Sequence, residues 1–227
     1  MQTLEVIAHI HTDFPAKFGI PRQSGLVDAL EGEIVFTEKY RDASALRGIE
    51  GYSHLWLIWQ FSESVTERFS PTVKPPRLGG NKRVGVFATR SPFRPNPLGL
   101  SCVRLTGVEM RTPRGPVLRV AGADLLDGTP IYDIKPYLPY VDCHPDARGG
   151  FTEEIEYPRL RVEFPEALLT MIPEGKRAAL IEVLAQDPRP GYRHEGDGKR
   201  YGVRFAGVDV RFIVDGETAR VVEVVEA

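Results

Sequence analysis

The 227-residue sequence is poor in cysteine and has no long apolar segment. Its two cysteines, Cys102 and Cys143, form no CxxC pair and no His/Cys cluster, so we expect no metal site and a reducing compartment. No apolar run approaches the ~20 residues that a membrane-spanning helix needs. The first residues lack a basic segment followed by an apolar core, so we expect no signal peptide and a cytoplasmic location.

The motifs of the common nucleotide-binding folds are also missing. No GxGxxG or GxxxxGK[ST] stands between a predicted strand and a helix, and LGGNKR at 78–83 is too short to serve as either. The GxSxG motif of the α/β-hydrolases does not occur. These absences argue against a Rossmann sheet, a P-loop and a serine hydrolase of that type.

Acidic residues are absent from one long stretch, although the whole chain is nearly neutral. There are 29 Lys and Arg against 31 Asp and Glu, so no overall field attracts nucleic acid. Between Phe69 and Val108, however, there is no acid, and the basic residues are Lys74, Arg77, Lys82, Arg83, Arg90, Arg94 and Arg104. A solvated surface is one explanation. The interleaved Pro and Gly residues favour another, which is a local anionic partner such as phosphate or a ligand carboxylate.

The centre of this stretch, RSPFRPNP at 90–97, contains three prolines and two arginines. Because proline removes an N–H donor and holds the preceding residue extended, the segment continues neither a helix nor a central strand. We therefore predict a stiff loop that holds Arg90 and Arg94 in fixed directions. Another arginine beside a proline, in Pro21-Arg22-Gln23, predicts a second rigid donor.

A further stretch, DLLDGT at 124–129, places two carboxylates three residues apart after a predicted strand. One interpretation is an Asx-turn, in which the carboxylates only stabilise the local backbone. The other is a binding role, in which a carboxylate accepts hydrogen bonds from an amine or from ribose hydroxyls. The residues alone leave both interpretations open.

Short strand-like segments dominate the first 140 residues and predict a mainly β fold. Gly and Pro separate them, which favours an antiparallel barrel or sandwich over a doubly wound sheet. The predicted strands are 4–10, 33–37, 54–61, 84–89, 102–108, 117–123 and 130–134, with a short helix near 42–46. The strand 54–61 is apolar enough to be buried on both faces.

The chain changes character after DCHPDARGG at 142–150, which predicts a linker. We therefore divide it into two domains, 1–142 and 150–227. The segment 176–186 has a helical pattern with Leu180, Val183 and Leu184 on one face. The segments 208–214 and 218–225 predict a β-hairpin. The second domain is expected to be a small α+β unit.

Four motifs occur in order along the chain: FGIPRQSGLV at 18–27, GYSHLW at 51–56, PTVKPPRLGGNKRVGVFATRSPFRPNPLGLS at 71–101 and DLLDGTPIYDIKPYLPY at 124–140. Together they resemble the TsaA-like family, and within it the TrmO group of tRNA (adenosine-37 N6)-methyltransferases. VLAQDPRPGYR at 183–193 resembles the matching C-terminal segment, so the resemblance covers nearly the whole chain. It implies an antiparallel TsaA-like β-barrel with a small C-terminal α+β domain.

The resemblance also implies an S-adenosyl-L-methionine-dependent enzyme that acts as a homodimer. Its substrate would be the tRNA anticodon stem-loop, methylated on N6 of threonylcarbamoyladenosine 37. The implied cofactor contacts are Pro21, Arg22, Gln23, Ser62, Glu63, Arg90, Leu100, Asp124, Leu125, Leu126 and Asp127. At the position of Ser62-Glu63 the family often has His-Gln.

Two hypotheses concern mechanism. A carbamoylated N6 is a poor nucleophile because its lone pair is delocalised, so Asp127 or Asp133 is a candidate acceptor of its proton. Arg77, Lys82 and Arg94 are candidate RNA contacts, on phosphate or stacked on bases.

Two alternatives stay open: a non-catalytic RNA-binding β-barrel, and a methyltransferase with the same cofactor that acts on another RNA or a small molecule. The acidic block 124–129 favours an enzyme over the first, because carboxylates oppose phosphate binding.

Overall fold

The computed structural model describes residues 3–64, 69–75, 78, 82–155, 157–189 and 198–227. Its strands are β1 Ala8–Thr12, β2 Glu31–Phe36, β3 His54–Gln60, β4 Thr72–Val73, β5 Val84–Gly85, β6 Leu98–Glu109, β7 Val117–Ala121, β8 Thr129–Pro136, β9 Arg161–Glu163, β10 Tyr201–Phe205, β11 Val208–Asp215 and β12 Thr218–Glu226. The α-helices are α1 Pro139–Asp142, α2 Glu166–Leu169 and α3 Glu174–Ala185. Short 3-10 turns occupy Glu38–Tyr40, Ala43–Leu46, Ile49–Gly51, Val86–Ala88 and Gly150–Glu154.

Within the described residues, six of these strands close into an antiparallel barrel in the order β1-β2-β7-β6-β3-β8. Burial alternates residue by residue along β2 and β3, as a barrel requires. The inward set includes Ile10, Ile34, Leu55, Leu57 and Ile131, all fully buried. The predicted mainly β fold with an antiparallel barrel is therefore confirmed.

The C-terminal part contains a sheet in the order β10-β11-β12-β9, with β9 parallel to β12. Helix α3 buries Leu180, Val183 and Leu184, the face that the sequence predicts. The predicted hairpin is present as β11 and β12, and it runs one residue further on each strand, to 215 and 226. The expected α+β character is thus confirmed.

The segment between β1 and β2 ties the barrel to the C-terminal sheet. Phe14, Val27 and Leu30 pack within the C-terminal apolar cluster. Asp13 Oδ2 forms an ion pair with Lys176 Nζ, and the two atoms lie 2.9 Å apart. Gly19 has φ +102°, and a Cβ there would lie 2.7 Å from a methyl of Val203, so this loop can approach the sheet only with glycine. The C-terminal domain therefore positions the loop that carries Pro21-Arg22-Gln23.

Four strand predictions need correction. The first strand is 8–12 rather than 4–10. Strand β3 is buried on one face only, since Leu55, Leu57 and Trp59 point inward while its other residues are half-buried. The predicted strand 84–89 ends at Gly85, because β5 has only the two-residue partner β4 and the chain then turns at 86–88. Regular pairing resumes at Leu98, four residues before the predicted start at 102.

The sequence did not predict the strands β4, β9 and β10 or the helices α1 and α2. Strands β4 and β9 have only two and three residues, too few for a visible hydrophobic period. Each of the two helices has four residues and starts after a proline or on one. Such elements depend on tertiary contacts more than on their own sequence pattern.

Candidate functional site

A cavity of about 820 Å³ opens at one end of the barrel. Strand β3 ends there and β6 begins there, and the connection from β7 to β8 crosses the same end. The lining comes from four segments that are far apart in sequence: 17–23, 59–64, 89–100 and 124–129. Its size is typical of a site for a small molecule, about 300–1,000 Å³.

A chain of three polar side chains lies at the base of this cavity. The indole Nε1–H of Trp59 donates to Ser101 Oγ at 3.0 Å, and the Ser101 hydroxyl donates to Asp124 Oδ1 at 2.6 Å. Trp59 lies over Gly99, where a Cβ would be 2.2 Å from the indole ring. Glycine at this position therefore makes the placement of the indole possible.

Asp124 is the carboxyl group of the cavity with the most unusual environment. Burial raises its pKa above the ordinary value. The Ser101 hydroxyl, the backbone N–H groups of Asp124 and Ser24, and the charge of Arg90 act in the opposite direction. Because a buried carboxylate is costly without donors, this group would gain from a ligand that brings N–H or O–H groups to it.

Arginines from two loops line the same cavity. The Arg90 guanidinium donates to Gln23 Oε1, and Gln23 Nε2 donates to the backbone carbonyl of Arg22. Arg22 donates in turn to the carbonyl of Arg189 at 3.1 Å. Arg94 donates through Nη1 to the Thr89 carbonyl at 3.0 Å. The cavity thus combines guanidinium groups with one buried carboxylate.

Lys17 joins two of the segments that form the rim of the cavity. Lys17 Nζ donates to the backbone carbonyl of Glu63 at 2.6 Å and to Ser64 Oγ at 3.3 Å. It also lies 3.5 Å from Glu63 Oε2. These contacts connect the loop before Pro21 to the turn that follows β3.

The described part of the chain contains no group of three or more His, Cys, Asp or Glu residues that could hold a metal ion. Nor does any helix in the described ranges have the length and apolarity to cross a membrane.

Family models match both parts of the chain. The tRNA-methyltransferase O N-terminal domain matches residues 9–143, and the TrmO C-terminal domain matches 157–227. The chain belongs to the TrmO family. The family assignment made from the motifs is therefore confirmed.

Relatives in this family match over nearly their full length. The chain is 43% identical over 217 residues to a tRNA (adenine(37)-N6)-methyltransferase of Escherichia coli K12, covering 92% of each. It is 44% identical over 213 residues to a putative S-adenosylmethionine-dependent methyltransferase of Pseudomonas aeruginosa, covering 91% of this chain and 90% of the relative. A crystal structure of TrmO from P. aeruginosa superposes with a TM-score of 0.80 at 34% identity, covering 100% of this chain and 98% of that one.

Most of the contacts implied by the TrmO resemblance meet in the cavity. Those that line it are Pro21, Arg22, Gln23, Ser62, Glu63, Arg90, Leu100, Asp124 and Leu126. Leu125 does not, since it is 1% exposed within the barrel core. Asp127 does not either, because its carboxylate faces β1, where Oδ1 accepts the Thr12 N–H at 3.0 Å.

The remaining predicted residues lie elsewhere. Asp133, on β8, forms an ion pair with Lys135 at 3.1 Å outside the cavity lining. Lys82 is exposed and lies 3.4 Å from Glu154. Arg94 lines the cavity itself. Arg77 lies outside the described residues.

Sequence reasoning missed three residues of this TrmO site. Trp59 has the signature of a core residue in an apolar strand, and Ser101 that of an ordinary strand residue, so neither indicated a polar network. Lys17 stands just before the FGIPRQ motif, which was a usable signal.

Proposed function

We propose that this chain transfers a methyl group from S-adenosyl-L-methionine to N6 of adenosine 37 in tRNA. The observation that carries the proposal is the 43% identity to the E. coli tRNA (adenine(37)-N6)-methyltransferase, which extends over 92% of both chains. The substrate adenosine would carry a threonylcarbamoyl group, as the motif resemblance implies. The domain 1–142 would hold the cofactor, and 150–227 would support the loop at Pro21-Arg22-Gln23.

The chemistry of the cavity lining suits this cofactor. The ligand has a carboxylate, which an arginine such as Arg90 can bind through two N–H groups. It also has an ammonium group and ribose hydroxyls, and Asp124 can accept hydrogen bonds from both. Its adenine has flat aromatic faces, which suit the cavity surface formed by Trp59, Pro92 and Leu98. When bound, S-adenosyl-L-methionine supplies an electrophilic methyl group.

The contribution of the protein would be mainly positioning. Methyl transfer requires the nucleophile, the methyl carbon and the sulfur in line, and a rigid site reduces the entropy that this alignment costs. The stiff loop supports such a role, since Thr89 Oγ1 donates to the Val86 carbonyl at 2.8 Å and accepts the Ser91 N–H at 3.2 Å. Asp127 and Asp133 are the predicted proton acceptors. Because both lie outside the cavity lining, we propose that alignment rather than either carboxylate dominates the rate.

A second groove offers a path for the RNA. Its volume is about 1,270 Å³, and it shares the wall around Arg22, Gln23 and Arg90 with the cavity. Phe87 in this groove is 73% exposed, and Tyr157 is 52% exposed. Unpaired RNA bases stack on aromatic rings, and basic side chains attract the backbone. We propose that the anticodon loop enters here. Lys82 and Arg94, which lie outside the lining of this groove, stay candidate RNA contacts, as does Arg77.

A direct assay tests this function. Purified chain, methyl-labelled S-adenosyl-L-methionine and tRNA bearing threonylcarbamoyladenosine 37 should yield labelled N6-methyl-threonylcarbamoyladenosine in nucleoside digests. The matched control is the same tRNA with guanosine at position 37, which should remain unlabelled. Equal labelling of both RNAs would support the alternative of another methyl acceptor. Cofactor-independent tRNA binding without any transfer would support the non-catalytic barrel.

The proposed assembly is a homodimer, as the resemblance implies, and the proposed location is the cytoplasm, as the sequence predicts. Several apolar side chains near the groove are exposed, including Phe93 at 49% and Leu100 at 50%. Sedimentation equilibrium of the free chain would give twice the monomer mass of 25.3 kDa if a second copy covers such residues. A monomer at micromolar concentration would contradict this part of the proposal.

A further inference from the structure

The base of the cavity contains a hydrogen-bond chain whose direction is fixed by chemistry. An indole N–H can only donate, so Ser101 Oγ must accept from Trp59. A serine hydroxyl has a single hydrogen, which Ser101 therefore has available for Asp124. Asp124 Oδ1 must in turn accept that hydrogen. The direction of both bonds thus requires an unprotonated oxygen at Asp124 Oδ1.

The hydrogen-bond chain of Trp59, Ser101 and Asp124 lies within the barrel and not on its surface. Trp59 lies on β3 and Ser101 on the neighbouring strand β6, while Asp124 follows β7, which is paired to the other side of β6. Ser101 is 1% exposed and Trp59 7% exposed. Solvent therefore has little access to replace either hydrogen bond. A shift in the pairing of β3 with β8 between Ile58 and Trp59 marks an irregularity next to the indole, and such bulges often re-aim a side chain beside a site.

We propose that Trp59 and Ser101 are positioning residues that keep Asp124 a hydrogen-bond acceptor at the cavity wall. Asp124 thereby selects the donor groups of the ligand, its ammonium or ribose hydroxyls, over acceptor groups. The selection of these groups rests on the proposed function, since it assumes S-adenosyl-L-methionine in the cavity. The hydrogen-bond chain itself does not, because both of its hydrogen bonds join groups of the protein.

Electrostatics gives the chain a measurable consequence. Burial raises the pKa of Asp124, and among the opposing influences the hydrogen bond from the Ser101 hydroxyl is the largest. Arg90 is the charged group that acts on Asp124, and the other donors are the neutral N–H groups of Ser24 and Asp124 itself. Removal of the Ser101 hydroxyl should therefore raise the pKa of Asp124 further, so that the group takes up its proton at a higher pH than in the wild type.

The first experiment needs no ligand. In a Trp56→Phe background only one indole remains, and Trp56 is a suitable residue to replace because its Nε1 donates to Asp142 instead of to the site. The indole N–H resonance of Trp59 should move with pH as Asp124 titrates. It should be insensitive to that titration in Asp124→Asn. A resonance that behaves identically in both proteins would overturn the proposed chain.

The second experiment measures S-adenosylhomocysteine binding by calorimetry from pH 5 to 8. Ser101→Ala should bind about tenfold or more weakly at pH 7, since hydrogen bonds to charged groups contribute about 1.5–3 kcal/mol and 1.4 kcal/mol is tenfold. Its loss of affinity on acidification should begin at a higher pH than in the wild type. Trp59→Phe keeps the ring and loses only the N–H, so we expect a smaller loss of about threefold. Thr106→Ala, exposed on the same strand, is the matched control.

The outcomes separate the two proposals. If Ser101→Ala folds, binds the probe as the wild type does and keeps the same pH profile, the positioning role is wrong. Trp59→Phe provides the same test should Ser101→Ala not fold. If the wild type binds no S-adenosylhomocysteine while the Trp59 resonance still follows Asp124, the proposed function fails, and with it ligand selection, but the hydrogen-bond chain stands.

Discussion

Asp124 and Asp127 belong to one six-residue motif, yet they lie in opposite environments. Asp124 is largely buried, accepts the Ser101 hydroxyl and lines the cavity. Asp127 has a side chain that is 45% exposed, and its Oδ1 accepts the Thr12 N–H and lies 3.2 Å from His11 Nδ1. The first carboxylate therefore lies in the cavity lining, while the second ties its loop to strand β1. The Asx-turn interpretation is wrong for Asp127, whose partner Thr12 lies 115 positions away. The binding interpretation stays a prediction for Asp124.

The largest predicted difference between these carboxylates is in ligand affinity. Asp124→Asn should weaken S-adenosylhomocysteine binding about 10- to 100-fold. The amide NH2 would face the ammonium or ribose hydroxyls of the ligand, which are also donors, and a charged acceptor would be lost. Asp127→Asn keeps an acceptor for the Thr12 N–H and should bind within about threefold of wild type. Calorimetry of the two variants side by side makes this comparison. Equal losses in both would show that the two carboxylates do not have separate roles.

A smaller effect should follow from crowding the base of the cavity. Gly99→Ala would place a methyl group against the Trp59 indole, whose ring lies 2.2 Å from the Cβ position. Such overpacking costs about 1–3 kcal/mol of unfolding free energy. It should also displace the Trp59 indole from its hydrogen bond to Ser101. Urea unfolding and probe binding measure the two consequences. Gly51→Ala is the control, since nothing lies within 4 Å of its Cβ position, and an equal effect there would contradict the packing argument.

The smallest predicted effect is on the pH dependence of stability. Folding raises the pKa of Asp124 above its ordinary value of 3.8 because the group is largely buried. The folded state therefore holds this proton more tightly than the unfolded state. The stability contributed by Asp124 is greatest below pH 3.8 and declines as pH rises through the folded pKa.

Asp124→Asn should therefore gain stability relative to wild type as pH rises across this window. Urea unfolding of both proteins at a series of pH values, without ligand, measures the difference. Thr106→Ala, which changes no titrating group, should follow the wild-type profile. A constant difference between wild type and Asp124→Asn would mean that burial does not perturb this carboxyl.

The contrast between the two aspartates also shows what the sequence could predict. Short strand-like segments separated by Gly and Pro were sufficient for an antiparallel barrel or sandwich, and the motif resemblance implied the barrel. The helical period of 176–186 was sufficient for the buried face of α3. Strand ends were less predictable, because β5 stops where its two-residue partner β4 stops. Pairing partners are tertiary information that a local pattern does not carry.

For the site, motifs predicted Arg90 and Asp124 but did not predict the side chains behind them. Trp59 and Ser101 are 42 positions apart, and Ser101 and Asp124 are 23 apart, so their contacts depend on barrel register. Arg94 shows the same limit. The neighbouring prolines predicted a stiff loop, but only the path of that loop brings the Arg94 guanidinium to the Thr89 carbonyl at the cavity.

A crystal structure of the chain with S-adenosylhomocysteine tests the central claim most directly. We expect the ligand in the cavity between Arg90 and Trp59, with an ammonium or ribose hydroxyl about 2.6–3.2 Å from the carboxylate of Asp124. Asp127 should remain on the Thr12 N–H without touching the ligand. A ligand bound in the groove beside Phe87 and Tyr157, or held by Asp127 and not by Asp124, would contradict the account.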